Sequence, residues 1–540
     1  MLPHLSVTTR IYLLCSFMSL GGLLFGYELG ILTGVYSMDS FQTQVDVQNK
    51  STALTSSLMA GAFVGALASG PLANFIGRRG IVCFGLVLFL LGGILQTGAD
   101  EIGKIYAGRA VSGLCVGMLS MAVPLYHSEI APKHLRGRLI SIQQFAITLG
   151  ICVAAWVDYG FSEVASSASW RIPFGLPLTV ALVYLIGSLL IPRSPRFLID
   201  KHMDGEALHV LSLVRGDGTS DHPQVLMEYI EIKQSILFEE KFKPKHYWTL
   251  FRKGPDNNRK RLLLGMGVQI FQQLTMINAL LLYAPALYQA AGIRGRQSVL
   301  LANGINSIVN LVFTIPPIIF IDRWGRRPIM IIGSIICCIS VIIMTIISAI
   351  TGLADTISII HNVEKSQSAA AQGAATGADS KDAIVFLVMM YVFIASFACT
   401  WGPIGWIYPT ELYSQDVRAQ ALGITTAANW LFNFGVTQLT PIMFNNIQWK
   451  AFVVYDCFLF VMPFIVYRYF PETMGKSLEE VDLIFTCNFN YYDVNVHHPQ
   501  TAAAALVQMG RRRRQTDLPF TNASARIQEM TSNPPLPLHV

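Results

Sequence analysis

The sequence is poor in charged residues. Only 13% of its 540 residues are Asp, Glu, Lys or Arg, whereas soluble domains carry about 25%. This shortage excludes an ordinary soluble protein, and 52% hydrophobic residues with a mean hydropathy of +0.47 agree with it. About twelve mostly apolar runs have the length of roughly 20 residues that crosses a bilayer as a helix. They begin near residues 11, 53, 81, 104, 139, 173, 262, 298, 329, 384, 419 and 449. We therefore expect an all-α membrane protein with twelve transmembrane helices.

The chain also lacks the residue patterns of disulfide, metal and catalytic sites. Eight of its nine cysteines lie within or at the edge of apolar runs at irregular spacings, and only Cys487 lies outside them. The sequence shows no metal-ligand cluster, phosphate-binding loop or nucleophile elbow. We expect no cofactor and no enzymatic activity.

The basic residues gather on alternate loops. By the positive-inside rule this asymmetry predicts that both termini are cytosolic. It also explains the formal net charge of +6, so we expect the lipid bilayer, and no nucleic acid, as a partner. The first apolar run lacks a small-residue cleavage site followed by a polar domain, and we interpret it as a span rather than a cleaved signal.

The sequence contains an internal repeat. "NFIGRRG" (74–80) follows the second apolar run and "IDRWGRRP" (321–328) follows the eighth. In the loops after the fourth and tenth runs an acid precedes an arginine by seven residues, Glu129 to Arg136 and Glu411 to Arg418. A single match of this kind would be explained equally well by a basic loop that only fixes the membrane topology. Two matched pairs predict two six-helix halves of parallel topology, the doubling of major facilitator transporters.

The repeat and the loops divide the chain into five regions. We expect a cytosolic N-terminus (1–10), an N-terminal six-helix half (11–191), a cytosolic helical linker (192–260), a C-terminal six-helix half (261–470) and a cytosolic tail (471–540). In the linker, the apolar residues from Val225 to Ile236 have the spacing of an amphipathic helix, which we expect to pack against the inner face. The Ala/Gly-rich loop at 366–381 is expected to be disordered.

One acid, Glu28, interrupts the first apolar run within "GGLLFGYELGILTG" (21–34). A charge near a bilayer centre costs about 2.5–3.5 kcal/mol on insertion scales, so we expect a partner for it. If the first run ends near Tyr36, Glu28 lies about 12 Å below the outer edge, and Arg109 lies about 8 Å below the same edge. The two side chains can meet, either as a static buried ion pair or as an acid that takes up and releases a proton.

The seventh run carries polar residues that are unusual in an apolar helix. Gln272, Gln273 and Asn278 are followed by Tyr283. A sugar requires amides for its hydroxyls and an aromatic face for its C–H surface, in a cavity half-way across the membrane. The alternative is that the amides join neighbouring helices, a role worth about 0.6 kcal/mol each. Their clustering favours a binding pocket.

Motifs along the chain resemble those of the sugar porter family of the major facilitator superfamily over roughly residues 11–485. They are "GGLLFGYE", "GRAVSGLCVG", "PLYHSEIAPKHLRG", "PRSPRFL", "FQQLTMINA", "DRWGRRP", "WGPIGWIYPTEL", "NWLFNF" and "PETMGKSLEE". The resemblance implies sugar contacts at Gln144, Gln272, Gln273, Asn278, Asn310, Trp406 and Asn429. It also implies an inner-face gating network of Arg78, Glu129, Arg136, Arg326, Glu411 and Arg418.

The chain departs from the family pattern at several positions. Asn74 stands where an acid usually precedes the first GRR motif, and Met276 replaces a usual glycine. Ala398 occupies a position where some members place an acidic sugar ligand, which leaves the identity of the hexose open. In the tenth run Pro403 and Pro409 remove helical hydrogen bonds and leave backbone groups unbonded beside the cavity. The helix at these prolines is either a gate that bends or a static kink.

The resemblance also bears on the coupling ion. Proton-coupled members of the family carry an acid in the first segment and an arginine in the fourth, and many uniporters have a neutral residue in place of the acid. Glu28 and Arg109 therefore favour a symporter that imports a monosaccharide or related polyol together with protons, by alternating access. The alternatives are a facilitative uniporter, a carrier of a cyclitol, quinate-like acid or disaccharide, and a transporter-like nutrient receptor. We expect a monomer in the plasma membrane.

Overall fold

A computed structural model of the chain describes residues 6–485 except 46–50, 133, 217, 220, 243–249, 252–256, 292, 294, 353–379, 415–416, 477–480 and 482–483. Cys487 and residues 366–379 of the Ala/Gly-rich loop lie outside the described residues. In chain order the helices are α1 (Val7–Met18), α2 (Leu20–Val35), α3 (Asp39–Val45), α4 (Ser51–Phe75), α5 (Gly77–Thr97), α6 (Ile102–Ile130), α7 (Arg136–Phe161), α8 (Ala168–Ser188), α9 (Pro195–Asp200), α10 (Asp204–Arg215), α11 (Pro223–Phe242), α12 (Asn258–Leu274), α13 (Ile277–Leu282), α14 (Ala284–Ala290), α15 (Arg296–Phe313), α16 (Ile315–Trp324), α17 (Arg326–Thr351), α18 (Ser380–Cys399), α19 (Trp401–Leu412), α20 (Arg418–Ile447) and α21 (Lys450–Tyr469).

These helices form twelve membrane segments, with six before and six after the linker helices α9 to α11. The segments begin at residues 7, 51, 77, 102, 136, 168, 258, 296, 326, 380, 418 and 450, and every predicted start lies within five residues of the observed one. The first, seventh, eighth and tenth segments are each divided into consecutive helices. The predicted all-α architecture of two six-helix halves is confirmed.

Two of the twelve segments do not meet the combined length and hydropathy expected of a single membrane-spanning helix. Within the described residues, ten segments are long and apolar enough to cross a membrane. The two that fall short are the seventh, which is interrupted after Leu274, and the eleventh, formed by α20. The seventh buries Gln272 and Gln273, and α20 buries Asn429 and Asn433. Both segments thus hold polar side chains inside the protein.

Glycines set the distance between α4 and α6. Gly113 on α6 lies so close to α4 that a Cβ atom there would overlap the carbonyl oxygen of Leu58. Gly117, one turn later, lies in the same way against Ala62, and Gly61 on α4 lies against α6. Small residues four apart allow membrane helices to approach at backbone distance. The contact fixes the register of α4 and α6 near the buried charges described below.

The linker helices cover one end of the bundle. We call this end, which carries Arg78 and Arg326, the motif face, and the end that carries Arg296 the opposite face. Arg10 at the start of α1 donates to a carbonyl at the end of α10, and Arg215 of α10 donates to the Ile130 carbonyl at 2.7 Å. The apolar side of α11 is buried, as the spacing from Val225 to Ile236 predicts.

The glycine contact yields a stability test. Gly113→Ala places a methyl group against the α4 backbone, and overpacking of this kind costs about 1–3 kcal/mol. Gly103→Ala on the same helix is the matched control, because nothing lies within 4 Å of a Cβ atom there. In detergent, the melting temperature followed by tryptophan fluorescence should fall for Gly113→Ala and stay the same or rise slightly for Gly103→Ala. Equal melting temperatures for the two variants would contradict the close packing.

Candidate functional site

A cluster of amides lies at the centre of the bundle, between α12, α19 and α20. Gln272 Nε2 donates to the carbonyl oxygens of Trp401 (2.9 Å) and Gly402 (3.2 Å). Asn429 Nδ2 donates to Gln272 Oε1 at 2.9 Å and to Gln269 Oε1 at 2.5 Å. Gln269 is missing from the predicted site, although its position three residues before Gln272 on an otherwise apolar helix face is a visible signal.

The cluster depends on a proline in the tenth segment. Pro409 has no N–H, so the carbonyl of Gly405, four residues earlier in α19, has no helical donor. Gln269 Nε2 supplies the missing bond at 2.7 Å. Gly405 itself leaves room for the neighbouring amide, because a Cβ atom there would overlap the Gln272 side chain. The proline and the glycine of α19 thus explain why amides of α12 lie here.

Aromatic rings connect this cluster with the N-terminal half. Trp406 Nε1 on α19 donates to Gln144 Oε1 on α7 at 2.9 Å. Phe25 on α2 packs edge-on against Trp406, with ring centroids 6.0 Å apart, and against Trp430 at 5.0 Å. Both halves therefore contribute to a buried lining of amides and aromatic faces, which is the chemistry that holds a hydroxylated ring.

The seventh segment breaks between α12 and α13. Met276 has a left-handed backbone conformation with φ +81°, which is strained for a residue with a side chain. The break brings the Asn278 amide into a hydrogen bond with Gln273 Oε1. Tyr283, beyond α13, donates from its hydroxyl to the Thr437 carbonyl at 3.3 Å. The predicted amides thus share one region through a break that helical spacing alone did not reveal.

The eighth segment presents a polar face that continues outward from the cluster. Asn310 is buried on α15, four residues before Thr314, whose hydroxyl bonds that of Thr148 on α7 at 3.0 Å. Asn303 and Asn306 lie on the same helix face as Asn310, seven and four residues before it, and both are buried. The spacing of Asn303 and Asn306 is visible in the sequence, but the predicted site contains neither residue.

Glu28 and Arg109 are in contact. Arg109 Nη1 lies 3.5 Å from Glu28 Oε2, and both side chains are almost completely buried. The guanidinium makes its shortest bond to a backbone oxygen, from Nε to the Leu54 carbonyl at 3.0 Å. Glu28 Oε1 accepts from Gln96 Nε2 at 3.4 Å, a contact that the sequence reasoning missed. Both contacts to the carboxylate are long for charge-assisted hydrogen bonds, which are usually about 2.7–2.9 Å.

The arginine pairs at the motif face are much tighter. Arg78 Nη2 lies 2.5 Å from Glu129 Oε1, and Arg326 Nη2 lies 2.8 Å from Glu411 Oε1. The two pairs follow the sequence repeat, and each glutamate also accepts from a hydroxyl, that of Ser194 or of Thr473. The glutamates thus bind the arginines of the GRR motifs. Of the other network residues, Arg418 donates to the Tyr413 carbonyl at 3.0 Å, and Arg136 is buried.

A second buried acid lies in the N-terminal half. Asp158 near the end of α7 is 1% exposed, and its Oδ2 accepts from the Gly34 N–H at 3.1 Å. A Cβ atom at Gly34 would overlap the carboxylate, so the glycine makes this approach possible. Asp158 has no ion-pair partner among the described residues, and it was not predicted as a site residue.

The two halves touch each other at both ends of the bundle. At the motif face Asp322 Oδ2 accepts from the Arg138 N–H at 3.1 Å. At the opposite face Arg296 Nη1 lies 2.8 Å from Asp39 Oδ2, and the side chains of Gln297 and Glu163 are hydrogen-bonded. Contacts between the halves therefore lie on both sides of the central cluster in this conformation.

Comparisons with known proteins agree with this architecture. A family profile described as "Sugar (and other) transporter" matches residues 14–485. The MFS glucose transporter of Aspergillus flavus is 34% identical over 487 residues, 88% of this chain and 90% of that protein. The high glucose sensor of Saccharomyces cerevisiae is 31% identical over 484 residues, 87% of this chain and 60% of the sensor.

A solved structure has the same fold. The proton:xylose symporter XylE of E. coli, bound to 6-bromo-6-deoxy-D-glucose, matches with a TM-score of 0.75 and 26% identity. The match covers 89% of this chain and 100% of the XylE chain. The major facilitator architecture that the repeat predicts is confirmed.

The bond between Gln269 and the Gly405 carbonyl can be tested by a double-mutant cycle. Gln269→Leu leaves the buried carbonyl unpaired, so the free energy of unfolding should fall by about 1–3 kcal/mol. Pro409→Ala restores a helical N–H for that carbonyl and should recover part of the loss in the Gln269→Leu background. Denaturant unfolding of the single and double variants in detergent measures both effects. A double variant with the summed losses of the two single variants would rule out the proposed dependence on Pro409.

Proposed function

Because this chain belongs to the family of sugar (and other) transporters, we propose that it is a proton-coupled symporter that imports a monosaccharide or a related polyol. It is a multi-pass membrane transporter of the major facilitator superfamily rather than an enzyme. In the proposal it acts as a monomer in the plasma membrane, with the motif face and both termini in the cytosol.

The central cluster supports a sugar as the substrate. Gln144, Gln272 and Asn429 offer amide donors and acceptors, and Trp406 offers an aromatic face. In this conformation Trp406 bonds Gln144 and Asn429 bonds Gln272, so these groups stay paired without a ligand. A sugar that enters exchanges these bonds for bonds to its hydroxyls, and a buried hydroxyl requires such partners because an unpaired one costs about 1–3 kcal/mol. In the proposal Gln273, Asn278, Tyr283 and Asn310 complete the binding site.

The loose contact of Glu28 is the observation that carries proton coupling. A permanent ion pair gains most from short, bidentate bonds, as in the Arg326–Glu411 pair. Glu28 instead has contacts of 3.4 and 3.5 Å, while Arg109 is held by backbone oxygens. The guanidinium therefore keeps its position whether or not the carboxylate is charged. A carboxylate held in this way can take up and release a proton while Arg109 keeps its hydrogen bonds to the backbone.

The contacts at the two faces support alternating access as the proposed transport mechanism. Opening toward the cytosol requires the bond between Asp322 and Arg138 to break, and opening outward requires the pair of Arg296 and Asp39 to break. The tight pairs of Glu129 and Glu411 hold the ends of segments within each half at the motif face. The halves can then move as units about the central cluster.

Two other functions fit the family. A facilitative uniporter would use the same sugar site, with Glu28 and Arg109 as a structural pair. The similarity to a glucose sensor supports a nutrient receptor as the other alternative, although this chain spans only 60% of that sensor. Net flux of sugar in vesicles separates a receptor from both transporters.

The coupling role of Glu28 is tested by Glu28→Gln, which keeps the shape of the side chain and removes its proton. The variant should lose accumulation of labelled sugar driven by a pH step in proteoliposomes, because the carrier no longer exchanges a proton. Exchange of labelled for unlabelled sugar at equal pH should persist, since the substrate site is intact. Membrane abundance is measured on the same preparation to exclude loss of protein.

Asp158→Asn is the matched control, because it neutralises another buried acid of the same half that is not next to Arg109. It should keep pH-driven accumulation. Accumulation that survives Glu28→Gln but not Asp158→Asn would mean that the coupling acid is misassigned. Absence of pH-driven accumulation in the wild type would leave the uniporter in place of the symporter.

A further inference from the structure

A small cavity, lined mostly by apolar atoms and by a few polar side chains, adjoins the central cluster on the side of the opposite face. Helices α2, α7, α13 and α15 contribute to it. Asn278 belongs to both places, because it lines the cavity and its amide bonds Gln273 beside Gln272. The residues that line the cavity include Gly30, Thr33, Ile151, Asn278, Asn306 and Ser307.

Asn306 in this cavity lacks the partners that its buried amide requires. Its side chain is 1% exposed, and neither Oδ1 nor Nδ2 has a hydrogen-bond partner among the described residues. The central amides differ in this respect, since Gln272, Gln273 and Asn429 are bonded to protein groups. A buried donor and acceptor on one side chain indicate a place where another molecule supplies both.

The size of the cavity limits what that molecule can place there. Its volume is about 30 Å³, enough for one or two waters. A pyranose ring does not fit within this volume. A hydroxymethyl group, one carbon and one hydroxyl, is of matching size. Its hydroxyl both donates and accepts, as the Asn306 amide requires.

We propose that this cavity is the subsite for the exocyclic hydroxymethyl group of an aldohexose, with Asn306 as the residue that distinguishes hexoses from pentoses. This inference rests on the proposed sugar transport and deepens it. A hexose ring in the central cluster directs C6 past Asn278 into the cavity, and its 6-hydroxyl displaces water and bonds Asn306. A pentose leaves the subsite to water, and so gains less from binding.

The inference is tested by sugar binding to the full-length chain in detergent, followed by tryptophan fluorescence. Three hexoses are compared with the pentoses that lack only C6 and its hydroxyl: D-glucose with D-xylose, D-galactose with L-arabinose, and D-mannose with D-lyxose. In the wild type, at least one hexose should bind about tenfold more tightly than its pentose, the size of one good hydrogen bond. Asn306→Leu should remove this preference by weakening the hexose alone. The 6-deoxy form of that hexose should bind wild type and Asn306→Leu equally.

Two further variants keep the test decisive. Asn306→Ser retains a hydroxyl partner and should keep part of the preference, which covers the case in which Asn306→Leu does not fold. Gln272→Ala in the central cluster should weaken hexose and pentose by the same factor. The subsite would be overturned if the hexose preference were unchanged in Asn306→Leu or Asn306→Ser. It would also be overturned if the wild type bound sugars without a hexose preference. Both results would leave the proposed sugar transport intact. If none of the six sugars binds, the subsite falls together with the monosaccharide assignment.

Discussion

The arrangement of the N-terminal half depends on how one buried guanidinium is held. Arg109 cannot lose its charge inside the membrane, so the protein must supply acceptors around it. The Leu54 carbonyl provides one at 3.0 Å and the Glu28 backbone carbonyl another at 3.3 Å. The glycine contacts of α4 and α6 place these groups together, because Gly113 lies one turn beyond Arg109 and faces Leu58, one turn beyond Leu54. The proposed change in the charge of Glu28 would therefore leave Arg109 with hydrogen-bond acceptors.

Helix α2 connects Glu28 with the proposed sugar site. One side of the helix carries Glu28 toward Arg109, and another carries Phe25 against Trp406 and Trp430. Gly30, two residues after Glu28, lines the cavity beside Asn306. In the proposed mechanism, a rearrangement of α2 on protonation of Glu28 would act directly on the lining of the proposed sugar site. Coupling between proton and sugar requires such a shared element with two arrangements, and no long-range network is needed.

Much of this could be predicted from the sequence, because length and periodicity determine what crosses a membrane. The segment starts, the two halves and the depth match of Glu28 and Arg109 all follow from counting residues along apolar runs. The features of the site that the sequence did not predict depend on tertiary contacts. Met276 takes a left-handed conformation that favours glycine, so the methionine itself did not mark the break that joins Asn278 to Gln273, and the only hint was the glycine usual at this position in the family. Gln96 and Gln269 contact groups far along the chain, the Glu28 carboxylate and the Gly405 carbonyl, which spacing within one helix cannot indicate.

The central claim is that one loosely held acid carries one proton with each sugar. It is tested most directly on the unmodified protein in proteoliposomes clamped at zero membrane potential, with proton and labelled-sugar uptake recorded together. The account predicts proton uptake that starts on addition of sugar and stays in a fixed one-to-one ratio with it. Sugar entry without any accompanying proton uptake would contradict the account.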